Sequence, residues 1–127
     1  MMANDNMNGI NPYFDSCGYA NDFEAFIDIH CIIPSIPEGA FDIWLKAYDT
    51  SCRETENERY LNDSGYAFEC CAAIMDYDGN TIIGNVEPRP ATDKDDAEKM
   101  LVNMAWSIMK DRNLVNMMKD MGEKACV

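Results

Sequence analysis

Residues 66–86 read YAFECCAAIMDYDGNTIIGNV, and this stretch decides the fold. Two apolar runs, 66–75 and 81–86, flank the pentapeptide DYDGN at 76–80. Asp-Gly between apolar runs predicts a β-hairpin, because glycine readily adopts the positive φ that a tight turn requires. The first run is largely apolar at both odd and even positions, which is typical of a central strand covered on both faces.

Two further strands are predicted upstream of the hairpin. From Phe23 to Ile33 the apolar residues largely recur with a period of two, which indicates a strand, and Pro34 then ends it. Residues 40–50, AFDIWLKAYDT, fit either a strand or a helix that begins with a capping box at 35–38. We favour the strand, because the Pro-Glu-Gly sequence at 37–39 is typical of a turn between strands.

An amphipathic helix is predicted towards the C-terminal end. Thr92 is the expected N-cap, and the acids that follow it suit the positive end of the helix dipole. Apolar residues then recur at helical spacing up to Ile108, the pattern continues or restarts at Leu114, and Gly122 is the expected stop. The predicted fold is therefore α+β: an antiparallel sheet of about four strands followed by a C-terminal amphipathic helix, in the order β-β-β-β-α.

The chain of 127 residues is predicted to form one domain, residues 23–127, preceded by an irregular arm at 1–22 that is rich in Asn, Asp and Gly. The first nine residues, MMANDNMNG, lack the basic and apolar regions of a secretory signal. We therefore expect a cytoplasmic protein whose six cysteines are mostly buried thiols. No apolar run reaches the roughly 18–20 residues that a membrane-spanning helix needs.

The net charge of −13 is the most unusual property of the chain, and it is unevenly distributed. Residues 1–34 contain five acids and no Lys or Arg, residues 35–90 contain eleven acids and four bases, and residues 91–127 contain seven acids and six bases. Such a field repels phosphates and anionic lipid and attracts basic surfaces. Direct nucleic-acid binding is therefore disfavoured, because it depends on Lys and Arg. The alternative is that the charge serves only solubility.

A basic protein surface is accordingly the predicted partner. The leading hypothesis is a non-catalytic binding protein, in its most concrete form an inhibitor that mimics nucleic acid, of the kind phages and mobile elements deploy against restriction or CRISPR nucleases. The predicted partner-binding residues are acids on or beside the sheet and in the connector between strands: Asp22, Glu24, Asp28, Asp42, Glu54, Glu56, Glu58, Asp63, Glu69, Asp76 and Asp78.

Catalytic, metal and cofactor sites are not predicted. The single histidine, His30, lies in the predicted first strand, and no nucleophile elbow or phosphate-binding loop is present. The acids at 76–80 superficially suggest a calcium loop, but Thr81 stands where that loop needs its glycine. The alternative hypothesis is a small enzyme or ligand-binding domain with a pocket between sheet and helix, using His30, Tyr66 or a cysteine.

The methionine-rich helix presents two apolar stripes. Met100, Met104 and Ile108 are expected to pack on the sheet. The second stripe consists of Val102, Trp106 and Met109. It makes the apolar surface of the helix wider than packing against one sheet requires, so this stripe belongs either to the core or to a homodimer interface. A dimeric accessory subunit is therefore a third functional alternative.

Overall fold

The computed structural model describes residues 12–18, 21–50, 67–83 and 87–125. Within these ranges, strands precede two C-terminal helices, and a short 3₁₀ helix (Ile29–Cys31) follows the second strand. The elements are β1 (Asp15–Ser16), β2 (Phe23–Asp28), β3 (Phe41–Asp49), β4 (Phe68–Asp76), β5 (Thr81–Ile83), β6 (Arg89–Ala91), α1 (Lys94–Met109) and α2 (Arg112–Ala125). The predicted α+β fold, an antiparallel sheet followed by C-terminal helical structure, is confirmed.

All described strand pairs are antiparallel, and the strands lie in the order β1-β2-β3-β4-β5. β4 is the central strand, because it pairs with β3 along its whole length and with both β5 and β6 along its other edge. The sheet thus has two strands more than the predicted four, namely the two-residue β1 and the three-residue β6.

The hairpin and the third strand form as predicted. Asp76 and Gly79 close the turn between β4 and β5 by a backbone hydrogen bond of 3.0 Å, and Gly79 has a φ of 82°. In β3, buried and half-buried side chains alternate along all nine residues, which only a strand produces from that sequence. The helical alternative for residues 40–50 is therefore wrong.

The predicted first strand ends five residues early, at Asp28 rather than Ile33. The carboxylate of Asp28 accepts hydrogen bonds from the backbone N–H of His30 at 3.0 Å and of Gly39 at 2.9 Å, which stabilises the turn into the 3₁₀ helix. Ile29 and Ile32 are both buried in the core. A continued strand would send these two side chains to opposite faces, whereas the turn buries both.

The helical region differs from the prediction at its start and in its middle. The N-cap is Asp93 rather than Thr92: its carboxylate accepts the N–H of Asp96 at 2.8 Å, while Asp96 in turn accepts the N–H of Thr92 at 2.9 Å. The helix breaks after Met109, and Asp111 accepts the N–H of Leu114 at 3.2 Å as α2 begins. Helix α2 then runs to Ala125, past the glycine that was expected to stop it.

The core lies between the sheet and the helices. Small side chains at the interface, such as Ala72, Ala97 and Ala105, let α1 approach β4 closely, and the Cys70 thiol lies 3.7 Å from the carbonyl oxygen of Ala97. Larger aliphatic side chains fill the space around them. The fully buried ones include Ile29, Ile36, Ile43, Leu45, Ile74, Leu101, Met104 and Met118.

Candidate docking surface

The sheet has two faces of different chemistry. The covered face carries the core residues, among them Ile43, Leu45 and Ile74. The open face carries the alternate side chains of β2, β3 and β4, which point away from the core because successive side chains of a strand lie on opposite sides. These open-face residues are Glu24, Phe26, Asp28, Asp42, Trp44, Lys46, Tyr48, Glu69, Cys71, Ala73 and Met75.

The strand register arranges these residues in rows across the sheet. The acidic end row contains Asp28, Asp42 and Met75, and the aromatic row next to it contains Phe26, Trp44 and Ala73. The following row contains Glu24, Lys46 and Cys71, and the last contains Tyr48, Glu69 and Pro90. Successive rows are separated by two residues of each strand, or about 7 Å.

The open face has a strong excess of negative charge. Among the described residues, four carboxylates, those of Glu24, Asp28, Asp42 and Glu69, share it with the single ammonium group of Lys46. These four acids belong to the predicted partner-binding set, and the fold brings them together from three strands. A surface of this composition attracts cations and repels phosphate.

Two of these carboxylates face each other directly. Asp28 and Asp42 are cross-strand partners, and like charges in that position destabilise a sheet. Partial burial is the larger cause that raises the pKa of the Asp42 carboxyl above its ordinary value, and the negative charge of Asp28 raises it further. Asp28 accepts two backbone N–H groups, whereas no residue in the described ranges donates a hydrogen bond to Asp42.

Aromatic side chains lie among the acids. Phe26 is 55% exposed, and its cross-strand neighbour Trp44 donates its indole N–H to a carboxylate oxygen of Glu24 at 2.9 Å. At the other end of the face, the Lys46 ammonium lies 4.7 Å from the centre of the Tyr48 ring. The open face is thus a mixture of anionic and aromatic groups rather than a purely polar surface.

The aromatic row was not singled out from the sequence. Phe26 interrupts an otherwise polar series with Glu24 and Asp28, and Trp44 lies between Asp42 and Lys46. Alternation along both strands therefore carried the signal that these two rings share the polar face. Their direct pairing depends on the register between β2 and β3, which the sequence of neither strand reveals.

Asp76 and Asp78 lie at the hairpin turn beside the acidic end row. Asp76 accepts the backbone N–H groups of Asp78 at 3.0 Å and of Asn80 at 2.9 Å, so this carboxylate stabilises the turn. Asp78 is exposed. The groove lined by the turn, residues 37–41 and Met121 encloses about 420 Å³ and is bordered by these acids.

Asp22 differs from the other predicted contact residues because it is only 2% exposed. Its carboxylate accepts the backbone N–H of Asp49 at 2.6 Å, and Asp49 in turn accepts the side-chain amide of Asn21 at 2.9 Å. These bonds join the start of β2 to the end of β3. Asp22 is therefore not part of the exposed acidic surface. Glu54, Glu56, Glu58 and Asp63, together with Tyr66, lie outside the described residues.

The groups considered for catalysis have structural partners. The Nδ1 atom of His30 lies 2.7 Å from the carbonyl oxygen of Ile36 and donates to it, since a carbonyl can only accept. Burial raises the pKa of the Cys70 and Cys71 thiols to about 12, which disfavours the nucleophilic thiolate. Among the described residues, no group of three or more His, Cys, Asp or Glu side chains could hold a metal ion.

The second helical stripe is divided between the core and the surface. Trp106 and Met109 are half-buried and pack against the core, and the Lys110 ammonium lies 5.3 Å from the centre of the Trp106 ring. Val102 is half-buried and borders an open cavity of about 530 Å³ with Phe14. Whether this stripe also meets a second subunit stays a prediction.

Comparisons with protein-family models, with curated proteins and with solved structures find no match for this chain. Helices long and apolar enough to cross a membrane are absent from the described ranges.

Proposed function

We propose that this protein is a non-catalytic binding protein that docks on a basic protein surface through the open face of its sheet. The observation that supports this most directly is the set of four carboxylates on that face, opposed by one ammonium group within the part of the chain that the structure describes. Lys and Arg side chains of a partner would neutralise these charges, and the remaining acids of the chain would steer the two molecules together over longer range.

The arrangement of the acids favours docking over a role in solubility alone. Solubilising charge needs no particular placement, whereas here like charges are held opposite each other at Asp28 and Asp42. A cation supplied by a partner would offset this repulsion in the complex.

A protein that handles nucleic acid is the most specific partner consistent with this chemistry. Its binding groove is lined with Lys and Arg, so a face rich in carboxylates would compete with the phosphate backbone for the same groups. Under this proposal the chain acts as an inhibitor of such a protein, for example of a restriction or CRISPR nuclease, and binds no nucleic acid itself.

The proposal is tested by comparing two double variants of equal charge. E24Q/D42N removes two carboxylates from the open face, and the Gln introduced at position 24 can still accept the Trp44 N–H. D95N/D120N removes two exposed carboxylates from the helices, for which the structure gives no hydrogen bond. Each protein is titrated against a fluorescent lysine-rich peptide at about 50 and about 200 mM salt, with binding read by anisotropy.

We expect the affinity of the unmodified protein to fall steeply with salt. E24Q/D42N should weaken binding by about fivefold to tenfold, and D95N/D120N by less than about twofold. Equal losses in both variants would mean that the charge acts diffusely, and salt-independent binding would exclude an electrostatic interface. As a second arm, the protein added to a nuclease bound to labelled DNA should release the DNA, and E24Q/D42N should do so less effectively.

A further inference from the structure

The aromatic row of the open face has properties that charge alone does not explain. Phe26 is 55% exposed, although Ala25 and Ile27 on either side of it are buried. Phe26 is one of five large hydrophobic side chains that are exposed among the described residues. Phe26 is the cross-strand neighbour of Trp44, so the strand register places the two aromatic residues side by side between two rows that contain acids.

The position of Trp44 is fixed by its neighbour in the next row. Its indole N–H donates to Glu24 at 2.9 Å, which orients the ring plane before any partner arrives. Ala73, the third member of the row, is buried, with 5% of its surface exposed. A preorganised ring loses little conformational entropy on binding, which favours its use in recognition.

Asp42 supplies an anionic group at the correct distance from these rings. It lies in the row adjacent to Phe26 and Trp44, about 7 Å further along the strands. No residue in the described ranges donates a hydrogen bond to its carboxylate, and Asp28 opposite repels it. Partial burial and that repulsion raise its pKa, as they do for a carboxylate that lacks a cationic partner.

An aromatic surface bordered by a carboxylate matches the guanidinium group more closely than the ammonium group. Guanidinium is planar and weakly hydrated, so it stacks on aromatic rings while its N–H groups fork onto a carboxylate. An ammonium group is compact and strongly hydrated and offers no planar face. The same face already holds one cation over a ring, Lys46 over Tyr48 at 4.7 Å, so cation–π contact is compatible with this surface.

We infer, building on the docking function proposed above, that the Phe26–Trp44 pair and Asp42 together bind an arginine side chain of the protein partner. The guanidinium stacks on the two rings and donates hydrogen bonds to the Asp42 carboxylate. The partner is therefore recognised by an arginine at the centre of its contact surface, with the other acids of the open face meeting the basic residues around it.

The test uses two fluorescent peptides of equal length and charge, one rich in arginine and one rich in lysine. Each is titrated against the unmodified protein, against Phe26→Leu, and against Tyr13→Leu as a control. Tyr13 is 78% exposed and does not belong to the aromatic row, so its replacement removes an exposed ring elsewhere on the molecule. Leucine at position 26 keeps the strand apolar, and circular dichroism checks that both variants are folded.

We expect the unmodified protein to bind the arginine peptide about threefold to tenfold more tightly than the lysine peptide. Phe26→Leu should abolish most of this preference, and Tyr13→Leu should preserve it. If both peptides bind with equal affinity and E24Q/D42N still weakens binding, the arginine inference is overturned and the docking function stands. Binding of neither peptide would overturn both.

A spectroscopic readout locates the contact directly. The chain contains two tryptophans, so Trp106→Phe leaves Trp44 as the only one. In this background, the arginine peptide should change the Trp44 emission at the same concentrations that change the anisotropy, whereas the lysine peptide should change it much less. Peptide binding that leaves Trp44 emission unchanged would place the arginine elsewhere and contradict the inference.

Discussion

The two faces of the sheet differ sharply although the same three strands build both. In β2, Ala25 and Ile27 are buried on the covered face, while Phe26 between them is largely exposed on the open face. In β3, Leu45 is fully buried, whereas its neighbours Trp44 and Lys46 are half-buried among the acids. The covered face thus supplies the apolar burial that stabilises the fold, and the open face can hold unfavourable like-charge neighbours because stability comes from elsewhere.

The largest expected contrast between the faces concerns unfolding free energy. Leu45→Ala on the covered face should lower the unfolding free energy by about 3 kcal/mol, because it removes buried methyl groups and leaves a cavity next to well-packed neighbours. Phe26→Ala on the open face should lower it by less than about 1 kcal/mol, since most of that ring already contacts water. Urea denaturation monitored by circular dichroism measures both. A comparable loss in Phe26→Ala would show that something covers the open face.

A smaller contrast is expected within the acidic end row itself. Asp28→Ala should lower the unfolding free energy by about 1–2 kcal/mol, because the N–H groups of His30 and Gly39 lose their acceptor. Asp42→Ala removes a carboxylate at the opposite position without breaking a described hydrogen bond, so its effect should be close to zero or stabilising. The same denaturation experiment compares them. Equal losses would mean that Asp42 also has a structural role.

The smallest expected effect is a pH-dependent gain in Asp42→Asn. Because the pKa of the Asp42 carboxyl is raised in the folded protein, the folded state binds this proton more tightly than the unfolded state does. Losing the proton therefore costs more in the folded state, and Asp42 lowers the unfolding free energy increasingly as the pH rises from the pKa of the unfolded state towards neutrality. Asp42→Asn should therefore raise the unfolding free energy by about 0.5 kcal/mol near pH 7, and the gain should shrink towards about pH 4. Denaturation curves across this range test it, with D120N as the control. A gain that grows on acidification would contradict the sign.

The elements predicted correctly were those whose signal is local. The Asp-Gly turn and its flanking apolar runs specified the β4–β5 hairpin, because turn geometry depends on the backbone freedom of one glycine, Gly79. The predictions were wrong at the end of β2 and at the start of α1, where side-chain hydrogen bonds to the backbone decide where an element begins or ends. Asp28 ended β2 by bonding Gly39, eleven residues away, and such a contact does not show in a period-of-two pattern.

The candidate site was predictable as a set of acids but not as a surface. Alternation along β2 and β3 placed Glu24, Asp28 and Asp42 on polar faces, and the register then made them neighbours. Asp22 follows the same alternation and is nevertheless buried, since the Asp49 backbone N–H draws its carboxylate into the end of the sheet. Acid content alone therefore could not separate contact residues from structural ones.

The sequence by itself determined the net charge of this protein and the uneven distribution of that charge along the chain. It also determined the hairpin and the amphipathic helical structure towards the C-terminal end. These follow from residue type and local spacing, which need no distant partner. The tertiary structure alone decided which acids face each other, which carboxylates accept internal hydrogen bonds, and that Phe26 and Trp44 are cross-strand neighbours. Strand register sets those relations, and register arises from the packing of the whole covered face, because a slip of one residue would expose the core.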